Sequence, residues 1–272
     1  MKLATIRREG GTVAVRVDDT TAVETGFADV GSLLQQEDWR ERARQADGVR
    51  HDVAGLDYAP LVPRPPKIIC VGLNYRAHIQ ETGQEVPEYP TLFAKFAPSL
   101  IGAYDDIQMP SAVEQMDWEA ELGLVVGARV RNADVEEAER AIAGFTVIND
   151  ISARDWQLRT VQWLQGKTFE ATTPIGPHLV CTDDGVVPGE ISCEVSGELM
   201  QKAATDDLVF GPAQLISYIS TILTLEPGDV IATGTPGGVG LARTPQRFLT
   251  DGDVVVTRVE GIGELRNTCR TV

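Results

Sequence analysis

The sequence predicts an α+β fold of mixed β-sheets, with a small N-terminal domain ahead of a larger one. Three observations carry this. Short runs of alternating apolar and polar residues outnumber segments with helical spacing. Most of these runs follow one another in hairpin order, which favours packed or rolled sheets. A proline-rich connector, LVPRPPK at 61–67, fits neither pattern and separates residues 1–60 from 67–272.

The elements follow in order. Residues 1–16 alternate around a REGG turn, a hairpin signal. Residues 32–48, SLLQQEDWRERARQAD, mix spaced apolar positions with charges and suit a surface helix. KIICVGL (67–73) reads as a buried strand, and 74–83 as a short helix with Asn74 as N-cap and Gly83 as its stop. TLFAKF (91–96) and 118–130 are strands. The stretch 133–145 reads as an amphipathic helix with its stripe at Val135, Ala138, Ile142 and Phe145; 146–151 is a strand. His178, after a proline in TPIGPH, reads as a loop residue. A hairpin at 191–203, a helix at 211–225, a strand with a glycine-rich loop at 226–240, and two strands at 251–269 complete the chain.

The 272 residues carry 40 Asp and Glu against 24 Lys and Arg, a formal net charge of −16. Nucleic acids and anionic membrane surfaces select basic patches, so neither is expected as a partner. An anionic ligand is repelled at long range, and binding one requires local positive charge from a metal or placed Arg and Lys. Cys70, Cys181, Cys193 and Cys269 form no CxxC pair and, with three histidines in all, read as buried reduced thiols and not as a zinc site. The first residues lack the apolar core of a secretory signal, and no run approaches the ~20 apolar residues of a membrane span. A cytoplasmic protein is expected.

The chemistry centres on carboxylates. Glu119 and Glu121 stand two apart in DWEAEL, so on a strand they share one face. Their flanks, Trp118, Leu122, Leu124, Val125 and Val126, are apolar. Two buried like charges would force one to take a proton, whereas a divalent cation makes both useful. Asp150, in FTVINDISARDWQ, is the third acid. An oxygen-only set suits Mg²⁺, Mn²⁺ or Ca²⁺.

Three further constellations stand beside it. His78 and Glu81 share a helix face; the pair can activate water, or can be a solvated surface pair. Arg154, Gln157 and Lys167 supply carboxylate-binding and oxyanion-stabilising groups, or surface charge in an acidic protein. GTPGGVG (234–240) is neither a P-loop nor a dinucleotide fingerprint. Its glycines let backbone approach a small ligand, with Thr235 able to bind a carboxylate, or they simply form a tight turn.

The segments VGLNYRAHIQE, LFAKFAPSLIG, DWEAELGLVVG, NDISARDWQ, GKTFEATTPIGP, VSGELMQ and TGTPGGVG, in this order from about 67 to 269, resemble the fumarylacetoacetate hydrolase family. The resemblance implies the rolled mixed-sheet fold of that family's C-terminal domain, usually as a homodimer. It implies that Glu119, Glu121 and Asp150 hold Mg²⁺ or Mn²⁺, which chelates a small anionic 2-oxo acid. It places His78 and Glu81 on a mobile lid that activates water, and Lys167, Arg154, Gln157 and Thr235 around the substrate. An earlier acid that ligates metal in some members has no counterpart in LFAKFAPS, which favours a three-carboxylate site. Members cleave acylpyruvates and fumarylpyruvate-like diketo acids; others decarboxylate oxaloacetate, or isomerise and decarboxylate 2-hydroxyhepta-2,4-diene-1,7-dioate. C–C bond hydrolysis is the leading expectation and oxo-diacid decarboxylation or isomerisation the alternative. A non-catalytic metal and dicarboxylate binder is the reading from outside the enzymes.

Overall fold

The computed structural model describes residues 1–81, 83 and 85–272. An eleven-stranded sheet organises the molecule. Across it run Arg50–Asp52, Thr21–Glu24, Gly11–Val17, Lys2–Arg8, Thr173–Cys181, Ile142–Asn149, Ala120–Val126, Val230–Ala232, Ile68–Gly72 and Thr91–Lys95, with Leu100–Ile101 joined to Thr173–Cys181 off the main path. A five-stranded sheet of Glu198–Ala204, Glu190–Val195, Val254–Val259, Gly263–Thr271 and Ile107–Met109 lies against its centre. Pairing is mostly antiparallel, as hairpin order requires; Val230–Ala232 and Ile68–Gly72 are parallel.

Every residue of Ala120–Val126 and Ile142–Asn149 is buried, because these strands have neighbours on both edges and cover on both faces. Polar side chains stitch the layers together: Asn149 Nδ2 donates to Thr257 Oγ1 at 2.9 Å, and Gln201 Oε1 accepts from Ala120 N at 2.9 Å. The first strand pairs Lys2 with Val180 and Leu3 with Leu179, so the N-terminal strands continue the large sheet. Arg7 adds a bidentate pair to Asp105. Among the described residues no helix is long and apolar enough to cross a membrane.

The structure departs from the sequence expectations in four places. The helix expected over 133–145 spans only Val135–Arg140, capped by Asp134 with Glu137 closing the box. Val135 is half exposed, and Ile142 and Phe145 belong to the next strand, where burial on both faces outweighs the helical spacing. The single helix over 32–48 is two, Val30–Leu34 and Trp39–Arg44. Leu33 and Trp39 both pack into one core cluster. Six residues apart, they would point about 120° away from each other on one straight helix. Asn74 does not cap the helix Arg76–Glu81: its side chain donates to Phe210 O and Thr233 O and accepts from Phe210 N, pinning the helix root to two other segments. His178 lies within the strand Thr173–Cys181 and not in a loop.

Candidate active site

Register assembles the acids. Ala120 pairs with Asn149 and Glu121 with Ile148. Glu119 therefore enters one strand just where Asp150 leaves the other, and Asp150 N donates to Glu119 O at 2.8 Å. Glu119, Glu121 and Asp150 each bring a carboxylate oxygen within 4.8 Å of the others'. All three are buried.

Their charges are unequally met. Asp150 accepts from Lys95 Nζ at 2.6 Å and Lys167 Nζ at 2.8 Å. Glu119 pairs with Lys167 at 2.7 Å and with Arg154 Nη1 at 2.6 Å. Burial pushes the Glu119 carboxyl up, but Lys167 and Arg154 outweigh it and hold the group well below the usual range. Among the described residues Glu121 accepts only a backbone bond, from Gly234 N at 2.7 Å. Burial, Asp150 and Glu119 push its carboxyl well above the usual range. An all-oxygen cluster with one acid left in repulsion is the donor set a hard divalent cation fits, and Mg²⁺ and Mn²⁺ match that chemistry.

Arg154 begins the short helix Arg154–Gln157. Its Nε donates to Asp117 Oδ2 at 2.8 Å and its Nη1 to Gln157 Oε1 at 2.9 Å, while its buried Nη2 has no hydrogen-bond partner among the described residues. Burial works against the Lys167 and Arg154 charges, but the neighbouring acids raise both groups above their ordinary values, so both stay protonated. They are fixed donors and not bases.

Glu119, Glu121, Arg154, Gln157 and Lys167 line a cavity of about 370 Å³. Phe93, Leu158, Trp163, Val239, Leu241 and Ala242 form its apolar wall, and Thr235, His78 and Glu81 also face it. Gly72 makes that wall possible: a Cβ there would sit 2.4 Å from the Trp163 ring, which stands edge-on to Phe93 at 5.5 Å. Thr235 Oγ1 accepts from Gln201 Nε2 at 2.8 Å. His78 Nδ1 lies 3.2 Å from Glu81 Oε2, and Glu81 accepts from Gly238 N at 3.0 Å. Gly238 has φ +100°, and a Cβ there would lie 2.1 Å from Met200 O, so only glycine lets the loop present this N–H.

The structure thus places eight of the nine sequence-selected side chains on one cavity, and Asp150 stands behind it, joined through Lys167 and the Glu119–Glu121 pair. Sequence reading missed two residues. Lys95 is a lone cation in an otherwise apolar strand, and that interruption was its signal. Asp117 continues the alternation of Glu119 and Glu121 backwards by two; it accepts from Gly240 N at 2.7 Å and Leu241 N at 3.0 Å as well as from Arg154, tying the glycine-rich loop to the guanidinium.

Residues 67–270 match the family described as fumarylacetoacetate (FAA) hydrolase C-terminal. The chain belongs to the fumarylacetoacetate hydrolase family. Its members are enzymes acting on small oxo acids. The chain is 45% identical over 209 residues to the mitochondrial oxaloacetate tautomerase Fahd2a of Rattus norvegicus, covering 76% of this chain and 67% of that one. Among solved structures, the fumarylacetoacetate hydrolase of Exiguobacterium antarcticum superposes with a TM-score of 0.88 at 30% identity over the whole of both chains. The fumarylpyruvate hydrolase of Pseudomonas aeruginosa, in complex with Mn²⁺ and pyruvate, gives 0.70 at 30% identity, covering 76% of this chain and 91% of that one. The mixed-sheet fold expected from the sequence is that of this family.

Proposed function

We propose that the protein is a divalent-metal-dependent enzyme that moves a proton at C3 of an oxo-diacid, interconverting the enol and keto forms of oxaloacetate or a close analogue. The observation that carries this reading is the 45% identity to an oxaloacetate tautomerase, joined to a cavity holding a three-carboxylate cluster. Glu119, Glu121 and Asp150 would hold Mg²⁺ or Mn²⁺, which when bound supplies Lewis-acid stabilisation of an enolate. Lys95 and Lys167 fix Asp150, and Lys167 and Arg154 fix Glu119. Arg154 Nη2, buried and unpaired, is a donor for a substrate carboxylate or oxo group. With Glu81 engaging Nδ1, His78 exchanges a proton through Nε2: C3 gains a proton, the enol oxygen loses one, and the C2 carbonyl forms.

Hydrolysis of a diketo acid is the second reading. It is favoured by the likeness to a fumarylpyruvate hydrolase and by a His–Glu pair able to orient water. Decarboxylation of oxaloacetate draws on the same enolate. Following the ultraviolet loss of enol-oxaloacetate together with pyruvate release, with Mn²⁺ and with EDTA, separates the outcomes. Faster enol loss without pyruvate supports tautomerisation, and pyruvate formation supports decarboxylation. Inertness toward oxaloacetate with cleavage of acetylpyruvate or fumarylpyruvate supports hydrolysis. A rate unaffected by EDTA refutes the metal dependence.

A further inference from the structure

Lys95 and Lys167 both bind Asp150, and of the two it is Lys167 that lines the cavity. A lysine ammonium carries three N–H donors. Two of those on Lys167 go to Glu119 Oε2 at 2.7 Å and Asp150 Oδ2 at 2.8 Å. Among the described residues the third meets no oxygen. Nζ instead stands over the Phe93 ring, 5.1 Å from its centroid. That distance is within reach of cation–π attraction, which strengthens where water is excluded, and Lys167 is only 2% exposed.

The surrounding backbone is built around this contact. Phe93 and Lys95 are two apart on the edge strand Thr91–Lys95 and so share a face. One strand thereby brings a cation to Asp150 and a ring to the other cation that binds it. Lys167 ends the short helix Leu164–Lys167, and Trp163 precedes it. The Trp163 ring is seated against Gly72 and meets Phe93 edge-to-face, so Phe93 contacts both ends of that turn. Gly166, within it, closes on the helix before: a Cβ there would lie 2.5 Å from Gln157 N. The backbone is thus fixed, and the freedom that remains is in the flexible stem of Lys167. All four oxygens of Glu119 and Asp150 already accept from Lys95, Lys167 or Arg154. A divalent cation on these acids must share them and loosens the hold on Lys167. A further acid in place of the ring would add negative charge and another ligand oxygen. An aromatic face attracts the ammonium and does neither.

We propose that Phe93 is a positioning residue: its π-face holds the Lys167 ammonium at the cavity when a divalent cation occupies Glu119 and Asp150. This rests on the metal reading above but not on the choice of oxo acid. The test replaces Phe93 with pentafluorophenylalanine, which nearly keeps the ring's shape, is more apolar and reverses its quadrupole. Urea unfolding of the full chain is followed for wild type, this variant, Lys167→Met and the double variant, in EDTA and in saturating Mn²⁺. The expected result with Mn²⁺ is a coupling between the two positions of about threefold or more in the unfolding constant, the scale of a desolvated cation–π contact. A smaller coupling with Mn²⁺ overturns the proposal, whatever its size in EDTA, and leaves Phe93 as apolar wall. Should Lys167→Met not fold, mono-, tri- and pentafluorophenylalanine at position 93 carry the test in the native background. Stability should then fall step by step with fluorination; a rise or no change, as a purely apolar contact gives, refutes the proposal. A wild-type chain whose unfolding Mn²⁺ leaves untouched removes the metal reading instead, and the proposal with it.

Discussion

Replacing Lys95 with Met keeps an unbranched chain of similar length and deletes the charge. Lys95 is only 2% exposed, and its Nζ meets Asp150 Oδ1 at 2.6 Å and Ile151 O at 3.2 Å. Removing one partner of a buried pair leaves uncompensated charge, costing about 3–5 kcal/mol. For 272 residues, unfolding entropy is about 0.57 kcal/mol/K at roughly 2.1 cal/mol/K per residue. The metal-free variant should therefore melt about 5–9 °C below wild type. Saturating Mn²⁺ should narrow that gap, because the cation replaces the lost charge and no longer faces Lys95. Its Kd should correspondingly be lower in the variant. Differential scanning calorimetry in EDTA and in Mn²⁺, with titration calorimetry for Kd, checks both arms. A loss under about 2 °C in EDTA, or a gap that Mn²⁺ leaves unchanged, would refute the idea that Lys95 and the cation share the same acids.

Glu121→Ala should abolish Mn²⁺ binding by calorimetry while raising metal-free stability, since it removes the carboxyl that burial, Asp150 and Glu119 disfavour. Lys167→Met should lower kcat/KM by about 10²-fold, the scale of a lost oxyanion-type donor, in the assay that establishes the activity. His78→Ala should reduce diketo acid hydrolysis by about 10²–10⁴-fold if His78 activates water; equal loss of oxaloacetate turnover would show that it serves proton transfer or closure in both. Stability should also fall with acid through His178, which burial, helped by Lys2, lowers from 6.5 to about 4. The unfolded chain takes that proton first, so the contribution is constant above about pH 6.5 and declines toward pH 4 by up to about 3 kcal/mol. Urea unfolding of wild type and His178→Gln should show a shallower pH slope in the variant.

The carboxylate cluster was legible because its information is local: Glu119 and Glu121 are two apart, and Asp150 closes the neighbouring apolar run. The hairpins at 1–16 and 191–203 and the helix Pro212–Ile222 were legible for the same reason, each being a repeat of one period closed by turn residues. What was lost depends on partners far along the chain. Ile142 and Phe145 satisfy helical spacing and strand burial equally, and only the neighbouring strands decide. Asn74 resembles a cap until Phe210 and Thr233 are seen to occupy its side chain. Lys95 gains meaning only from Asp150, fifty-five residues later.

The interlocked charges have a consequence for how the molecule breathes. Lys95, Asp117, Glu119, Asp150, Arg154 and Lys167 come from several strands, short helices and the turns between them but satisfy one another within a single buried knot. No one segment can peel away without leaving its former partners unpaired in a low-dielectric interior. Partial opening there costs nearly as much as complete opening, so the polar centre should be among the last places where amide protons exchange with solvent, and should do so only with global unfolding. The helix carrying His78 supplies no acid or cation to that knot, is held to the loop by Glu81 and Gly238 and at its root by Asn74, and its amides are expected to exchange ahead of the centre. The expected result is a charge template that exchanges late beneath a helix that exchanges early.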